Sequence, residues 1–288
     1  MNKIINGKDF AECLNGITKS LVSHLNHTPT LAIITIGDDD ASKVYVRNKL
    51  KTAEAVGIDA KNYIFNKDDY TRGDVRRFFE TQLDQFDGVI LQLPVPTYVN
   101  ARKLIEMIPA EKDVDGLTHA QMGMLQTNDK EKLVPCTPQG VIDLLGTVYT
   151  PREFIGKHAV IINRSNLVGK PLAQLLLGLD MTVTICHSKT EDLGKFTRDA
   201  DVLVTAAGVP GLITADMVKE GAIVIDVSMN RNSKGKLCGD VCFDEVFEKV
   251  AAITPVPGGV GPMTVMNLMY NTYKAAYRKE PLDQTIPF

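Results

Sequence analysis

Residues 45 to 49 read YVRNK and set a tyrosine and a lysine four positions apart. Three more basic residues, Lys43, Arg47 and Lys51, crowd the same stretch. On a helix advancing about 100° per residue, with Val46 as zero, Leu50 and Ala53 fall within about 40° and form an apolar stripe. Lys43, Arg47 and Lys51 then lie together at about 60° to 140°, whereas Lys49 lies near −60° beside Tyr45 and Val56. Lys49 is therefore the one basic residue of the four on the apolar flank. With an ordinary pKa of about 10.4, only about one lysine in a thousand is neutral near pH 7. Burial or a neighbouring cation lowers that value and makes a lysine a usable base. Two readings stay open. In one, the stem lies along the core edge and the ammonium sits in water. In the other, the amine sits in a cleft, held by the tyrosine hydroxyl.

The elements around this pair alternate in kind. LAIITIG (31–37) reads as a buried strand, and a helix from about Ser42 to Val56 follows, stopped by Gly57. NYIF (62–65) is a second strand, TRGDVRRFFETQL a helix, and GVILQL (88–93) a third strand ended by Pro94 and Pro96. This βαβαβ order implies a parallel sheet with right-handed crossovers. Gln92 then stands at a strand end, where open α/β sheets place their ligands. It can hold the lysine nitrogen, or face solvent as a polar strand end.

A second series follows the helix 137–146. HAVIIN (158–163), TVTIC (182–186), DVLVTAA (201–207) and AIVIDV (222–227) read as strands, and Val168 to about Leu179 as a helix. After the Pro/Gly-rich TPVPGGVGP (254–262), TVMNLMYNTYKAAYR (264–278) reads as one amphipathic helix. The expected fold is thus two α/β domains in series, with a boundary in 117–150.

HAVIINRSNLVGKPLAQLLL sets a strand, a tight loop and a helix opening in the order that presents backbone N–H groups to phosphate. Asn163 stands where the dinucleotide fingerprint expects its first glycine, and asparagine tolerates left-handed backbone. Gly169 permits close approach, and Pro171 suits a first helical turn. The next strand ends in His187-Ser188-Lys189, without the acid that would hold an unphosphorylated ribose. With Arg164 in the first loop, cations and hydroxyls fit a 2′-phosphate, and NADP is expected over NAD.

Composition narrows the class. The 288 residues are 44% hydrophobic with a formal charge of −3, and no basic block marks a nucleic-acid surface. No apolar run has membrane-spanning length, and MNKIINGKDF lacks a signal-peptide core, so a cytoplasmic protein is expected. The five cysteines, Cys13, Cys136, Cys186, Cys238 and Cys242, include no CxxC pair. Reduced, mostly buried thiols are expected, with no metal.

Taken together, YVRNKLKTAEAVGI (45–58), GVILQLPVP (88–96), KDVDGL (112–117), PCTPQGV (135–141), NRSNLVGKP (163–171), VTICHSKT (183–190), GDV (239–241) and TPVPGGVGPMT (254–264) resemble, in order, one family. It is the bifunctional methylenetetrahydrofolate dehydrogenases/cyclohydrolases of one-carbon metabolism, which supply purine biosynthesis. The resemblance implies a catalytic, folate-binding domain from 1–118 plus 264–288 and a Rossmann-like NADP domain at 137–263. It implies folate in the cleft between them, and a homodimer. It assigns Lys49, Tyr45 and Gln92 to catalysis, and Asp115 to the pterin, with Tyr45, Pro257, Gly258 and Gly259 also facing substrate. Asn163, Arg164, Ser165, His187, Ser188, Gly208 and Ser228 fall to the cofactor. Asn163 and Ser228 depart from the glycines usual in the family, which bears on cofactor affinity.

The implied chemistry has two steps. Hydride leaves the carbon bridging N5 and N10, giving a resonance-stabilised cation, so alignment rather than a base is required. Water then adds to that carbon and must lose a proton, for which neutral Lys49 serves. Three other readings compete: a dehydrogenase lacking the hydrolase step, a non-catalytic NADP or folate binder, and a dehydrogenase of small acids.

Overall fold

The computed structural model describes residues 3–66 and 70–280. The chain divides into two compact units, one of Met1–Glu12 with Met124–Asn267 and the other of Cys13–Gly123 with Leu268–Phe288. The divisions fall inside α1 (Gly7–Val22) and inside α10 (Val260–Tyr277).

In the second of these units, β1 (Thr30–Ile36), α2 (Asp40–Val56), β2 (Asp59–Phe65), α3 (Arg72–Thr81) and β3 (Gly88–Leu91) form the sheet and its crossovers, followed by α4 (Ala101–Ile105) and α5 (His119–Gln126). The sheet is parallel, in the order β2-β1-β3. Central β1 is buried on both faces, which is why its sequence is a nearly unbroken apolar run. Ala32, Ile34 and Ile36 pack with Val89 and Leu91 against Val75 and Phe79 of α3. Side chains alternate along a strand, so Leu31, Ile33, Ile90 and Gln92 point to the opposite face. Local signals set the ends of α2. The Asp39 carboxylate accepts from Ser42 N at 2.7 Å, and Gly57 at φ 90° returns its N–H to Ala53 and Glu54.

In the other unit, α6 (Cys136–Leu145) precedes β4 (His158–Ile162), α7 (Gly169–Leu177), β5 (Thr182–Cys186), α8 (Gly194–Thr197), β6 (Val202–Thr205) and β7 (Ile223–Asp226). A hairpin of β8 (Asn230–Arg231) and β9 (Leu237–Cys238), then α9 (Phe243–Lys249) and β10 (Ala252–Ile253), complete it. The main sheet is parallel in the order β10-β7-β6-β4-β5. Strand order reverses at β4, so the ends of β4 and β6 flank the position where such sheets bind ligands.

The start of the chain differs from the expected division. Residues 3–12 belong to the β4–β10 unit: 3–5 run beside β10, where Ile5 N donates to Ile253 O at 2.9 Å and Ile253 N to Lys3 O at 2.8 Å, and Lys8 N, in the first turn of α1, donates to Gly258 O at 3.0 Å. All five cysteines are free, but only Cys136 and Cys186 are buried; Cys13 is exposed, and Cys238 and Cys242 are half-buried.

Candidate functional site

Lys49 is 8% exposed, level with Gln92 at 8%, and its Nζ donates to Gln92 Oε1 at 2.9 Å. The amide of Gln92 is itself fixed, since Nε2 donates to Leu93 O at 2.6 Å. Ser42, Val46, Lys49, Ala53 and Val56 form the buried stripe of α2, with spacings of four and three, and Leu50 is only half-buried. Lys49 thus belongs to the stripe rather than to its flank. This sets aside the reading with the ammonium in water, because Nζ ends on an amide oxygen, that of Gln92. Tyr45, one turn earlier, keeps 36% of its surface exposed, while burial pushes its phenol above the ordinary value and leaves it an O–H donor. A cavity of about 1110 Å³ in this unit, lined by Phe65, Val75, Tyr98 and Leu104 among others, lies on the α3 face of the sheet. It takes no part in this site, which is on the α2 face.

The loop 113–118 separates two acids that look alike in sequence. Asp113 is 1% exposed and accepts from Thr118 N at 2.7 Å, and burial raises it to about 6. Asp115 is half-buried, and its carboxylate has no partner among the described residues. Gly116, directly after Asp115, turns the chain at φ 70°. The side chain of Asn271 in α10, 3% exposed, donates to Val114 O at 2.9 Å and holds this loop from behind. Sequence reasoning did not single out this support from Asn271; its signal is Asn267 and Asn271, four apart and both buried in α10.

In the β4–β10 unit, Asn163 does not adopt the left-handed backbone expected of it; the positive-φ residues other than glycine are Asn128, Asp180 and Asp192 among those described. Its side chain shapes the turn instead. Oδ1 accepts from Ser165 N at 2.8 Å and Gly169 N at 3.0 Å, and Nδ2 donates to Ala206 O at 2.6 Å. Gly169 is obligatory, because a Cβ there would stand 1.9 Å from Asn163 O. Ser165 Oγ accepts from Val168 N at 3.1 Å and closes the loop.

Arg164 follows β4, and His187, Ser188 and Lys189 follow β5, whose Cys186 pairs with Ile162 across the sheet. Arg164 and Lys189 are exposed and form no ion pair among the described residues. His187 Nδ1 accepts from Lys189 N at 3.2 Å, which leaves Nε2 as the outward ring donor. Unspent cations and a hydroxyl at the ends of adjacent strands fit an adenosine ribose bearing a 2′-phosphate. Gly208, at φ 72°, and Ser228 lie in the loops after β6 and β7, and Gly208 N donates to Ser228 Oγ at 3.1 Å. Pro257 follows a cis bond, as does Pro94. Gly258 is held at φ 105°, and Gly259 is closely packed: a Cβ on it would lie 2.7 Å from Pro255 O, and one on Gly7 would lie 1.9 Å from Gly259 O. TPVPGGVGP is therefore packed structure and not a linker.

A tetrahydrofolate dehydrogenase/cyclohydrolase catalytic-domain model matches residues 5–115, and the corresponding NAD(P)-binding-domain model matches residues 135–280. The chain belongs to the tetrahydrofolate dehydrogenase/cyclohydrolase family. The bifunctional protein FolD of Streptococcus mutans is 44% identical over 284 residues, covering 96% of this chain and 99% of that one. A solved FolD enzyme from Campylobacter jejuni superposes with a TM-score of 0.92 at 40% identity, covering 96% and 99% of the two chains. A Trypanosoma brucei FolD, solved with NADP cofactor and an inhibitor, superposes with a TM-score of 0.89 at 33% identity, over 96% and 97%. In this family member, the expected fold class is the observed one. No cluster that would hold a metal ion occurs among the described residues, and none of their helices is long and apolar enough to cross a membrane.

Proposed function

We propose that Lys49, Tyr45 and Gln92 perform the water-adding step of a bifunctional enzyme. The enzyme oxidises 5,10-methylenetetrahydrofolate with NADP and hydrolyses the 5,10-methenyl product to 10-formyltetrahydrofolate. The observation that carries the reading is the buried hydrogen bond from Lys49 Nζ to Gln92 Oε1.

NADP⁺, when bound, supplies the hydride acceptor. Arg164, Ser165, His187 and Ser188 hold its adenosine phosphate end, and Asn163, Gly208 and Ser228 shape the loops around it. Oxidation needs no protein base, because the carbon losing hydride lies between two nitrogens that share the resulting charge. The protein contributes alignment and exclusion of water.

Hydrolysis needs a base. Water adds to the methenyl carbon, the carbon–N5 bond breaks, and one proton must leave. Lys49 in its neutral form takes that proton, directed by Gln92, while the Tyr45 hydroxyl bonds to the amine or to the attacking water. The positive charge of the methenyl substrate disfavours Lys⁺ beside it. Asp115 accepts two parallel hydrogen bonds from the amino group and ring N–H of the pterin. Pro257, Gly258 and Gly259 face the substrate.

In the same reading, 13–118 with 264–288 serve folate and 137–263 serve NADP. The enzyme is a cytoplasmic homodimer, a compartment in keeping with five free thiols. What supports a second copy is the edge strand β5, which pairs on one side only within the described sheet and leaves Ile185 38% exposed.

The test is Lys49→Met, assayed with methylenetetrahydrofolate and NADP⁺ at methenyl and NADPH absorbances together. Hydrolysis should fall by about 100-fold or more, with NADP reduction still measurable. Retention of full hydrolysis would remove the lysine from the mechanism.

A further inference from the structure

The carboxylate of Asp240 is 0% exposed, and five donors converge on it. Oδ2 accepts from Thr205 Oγ1, Ala207 N and Ser228 Oγ, each at 2.7 Å. Oδ1 accepts from Val209 N at 2.8 Å and Asn230 Nδ2 at 2.9 Å. Burial pushes this carboxyl up, but the bonds from Ser228, Thr205, Ala207 and Asn230 outweigh it and hold the group below its ordinary value.

The donors are not spread through a core. They come from the last residue of β6 (Thr205), the loops that follow β6 and β7 (Ala207, Val209, Ser228) and the first residue of β8 (Asn230), at the carboxyl ends of parallel strands, where ligands bind in sheets of this kind. The N–H groups of Ala207, Gly208 and Val209 are consecutive. Two are spent on Asp240, and the third goes to Ser228 Oγ, which donates onward to Asp240. Consecutive amides curled in this way form an anion-binding nest. Here the anion is supplied by the protein, so the conformation of 206–209 is set by an internal charge.

The network continues past the loop. Ala206 O accepts from Asn163 Nδ2, and Asn163 Oδ1 takes the amides of Ser165 and Gly169. One connected set of hydrogen bonds therefore runs from Asp240 through 206–209 to the turn after β4. The position of Asp240 is itself tightly defined. Its neighbour Gly239 sits where a Cβ would come within 1.9 Å of Asp226 Oδ2, and Val241 N donates to that same oxygen at 2.9 Å.

We propose that Asp240 is the positioning residue of the dinucleotide site: it sets the loop 206–209 and, through Asn163, the loop 163–169 in the conformation that binds NADP, without touching the cofactor or the folate. The proposal rests on the reading above that these two loops hold NADP. A carboxylate is required at Asp240, because both of its oxygens accept, and an amide would turn an NH2 group toward at least two of the five donors.

The experiment uses the full chain and reads NADP⁺ affinity by titration calorimetry, with hydrolysis of methenyltetrahydrofolate in the absence of NADP and a far-UV CD melt alongside. Asp240→Asn keeps the shape but turns one acceptor into a donor. It should weaken NADP⁺ by about tenfold or more, in line with loss of a charged hydrogen bond, and leave nucleotide-free hydrolysis within about twofold. Thr205→Val, a milder change, removes one donor and should weaken NADP⁺ by about threefold; it decides the matter if Asp240→Asn does not fold. A structural role alone would lower the melting temperature without changing the affinity of the folded molecules. Wild-type NADP⁺ affinity in both folded variants, or in Thr205→Val alone where Asp240→Asn does not fold, overturns the proposal. Arg164→Ala separates this failure from that of the underlying reading. If it weakens NADP⁺ while the other two do not, only Asp240 is misassigned; if it too has no effect, the loops are not the cofactor site.

Discussion

The Nζ of Lys49 and the Oε1 of Gln92 lie 2.9 Å apart, joining the buried stripe of α2 to the residue that follows β3, 43 positions later in the chain. Gln92 has no other role of comparable reach, since its Nε2 is spent on the next carbonyl. Replacing it by Met keeps the volume and removes the acceptor, leaving the lysine nitrogen buried without a partner. That should cost about 1–3 kcal/mol of stability. It should also lower hydrolysis by roughly 10- to 100-fold, less than loss of the base itself. Steady-state rates of the two half-reactions check this; equal losses in both would mean that Gln92 serves the fold rather than the water-adding step.

Asp115 offers a cleaner separation of binding from stability. Its carboxylate has no partner among the described residues, whereas Asp113 two positions away is buried and bonded to Thr118 N. Asp115→Ala should therefore leave the melting temperature within a degree or two, about the scatter of surface changes. It should raise the dissociation constant for a tetrahydrofolate analogue by about 30-fold or more, as expected for two charge-assisted bonds. Asp113→Ala should do the reverse, destabilising the protein first. Fluorescence titration of the analogue with both variants distinguishes the two acids, and an unchanged affinity in Asp115→Ala would end its role in pterin recognition.

Asn163 gives a third expectation. Its amide makes three hydrogen bonds that a glycine cannot make, to Ser165 N, Gly169 N and Ala206 O. Asn163→Gly, which restores the residue usual in the fingerprint, should weaken NADP⁺ binding instead of improving it. The loss should be about 1–2 kcal/mol, or roughly tenfold, because the turn loses its internal acceptor. Equilibrium binding to NADP⁺ reads it directly; tighter binding in the glycine variant would show that the asparagine is a compromise and not the device that shapes the loop.

What was legible in the sequence follows the range of the interactions. The parallel sheets were readable because β1 and β4 are apolar on both faces, and Gly57 marks the end of α2 locally, whereas its start, read near Ser42, lies at Asp40 behind the Asp39 cap. The strand read as 62–65 begins at Asp59, because an edge strand keeps polar residues on its open side and hides its first half from an apolar search. Helical projection placed Lys49 beside the apolar stripe, but its membership of the stripe depends on Gln92, which no local pattern connects to it. Asn163 was recognised as unusual for its backbone tolerance, while its action is through side-chain bonds, one of them to a residue 43 positions away. Asp226 and Asp240 look in sequence like ordinary strand-end and loop acids. That both are buried is set by the packing of four separate segments, and only their consequence, a pair of carboxylates bridged by Ser228, reveals a role.

That pair makes a prediction about pH. Asp226 is 3% exposed, and burial, reinforced by the charge of Asp240 and opposed by bonds from Val241 N and Ser228 N, raises it from 3.8 to about 7. In the unfolded chain it releases its proton near its ordinary value, while the folded chain keeps it. Between those values the folded state binds more protons than the unfolded one, so stability falls as pH rises and levels off above about 7. The slope from one such group is at most about 1.4 kcal/mol per pH unit. Asp113, raised to about 6 chiefly by burial, acts in the same direction but is exhausted about a unit earlier. The interval between about 6 and about 7 therefore belongs to Asp226. Urea denaturation at closely spaced pH values should show stability still declining there. Asp226→Asn should abolish that part of the decline, on a curve lowered throughout by the bond its amide cannot accept from Val241 N. A wild-type curve that is flat across this interval would mean that Asp226 is ionised in the folded enzyme, sharing Ser228 with Asp240 as one of two negative charges.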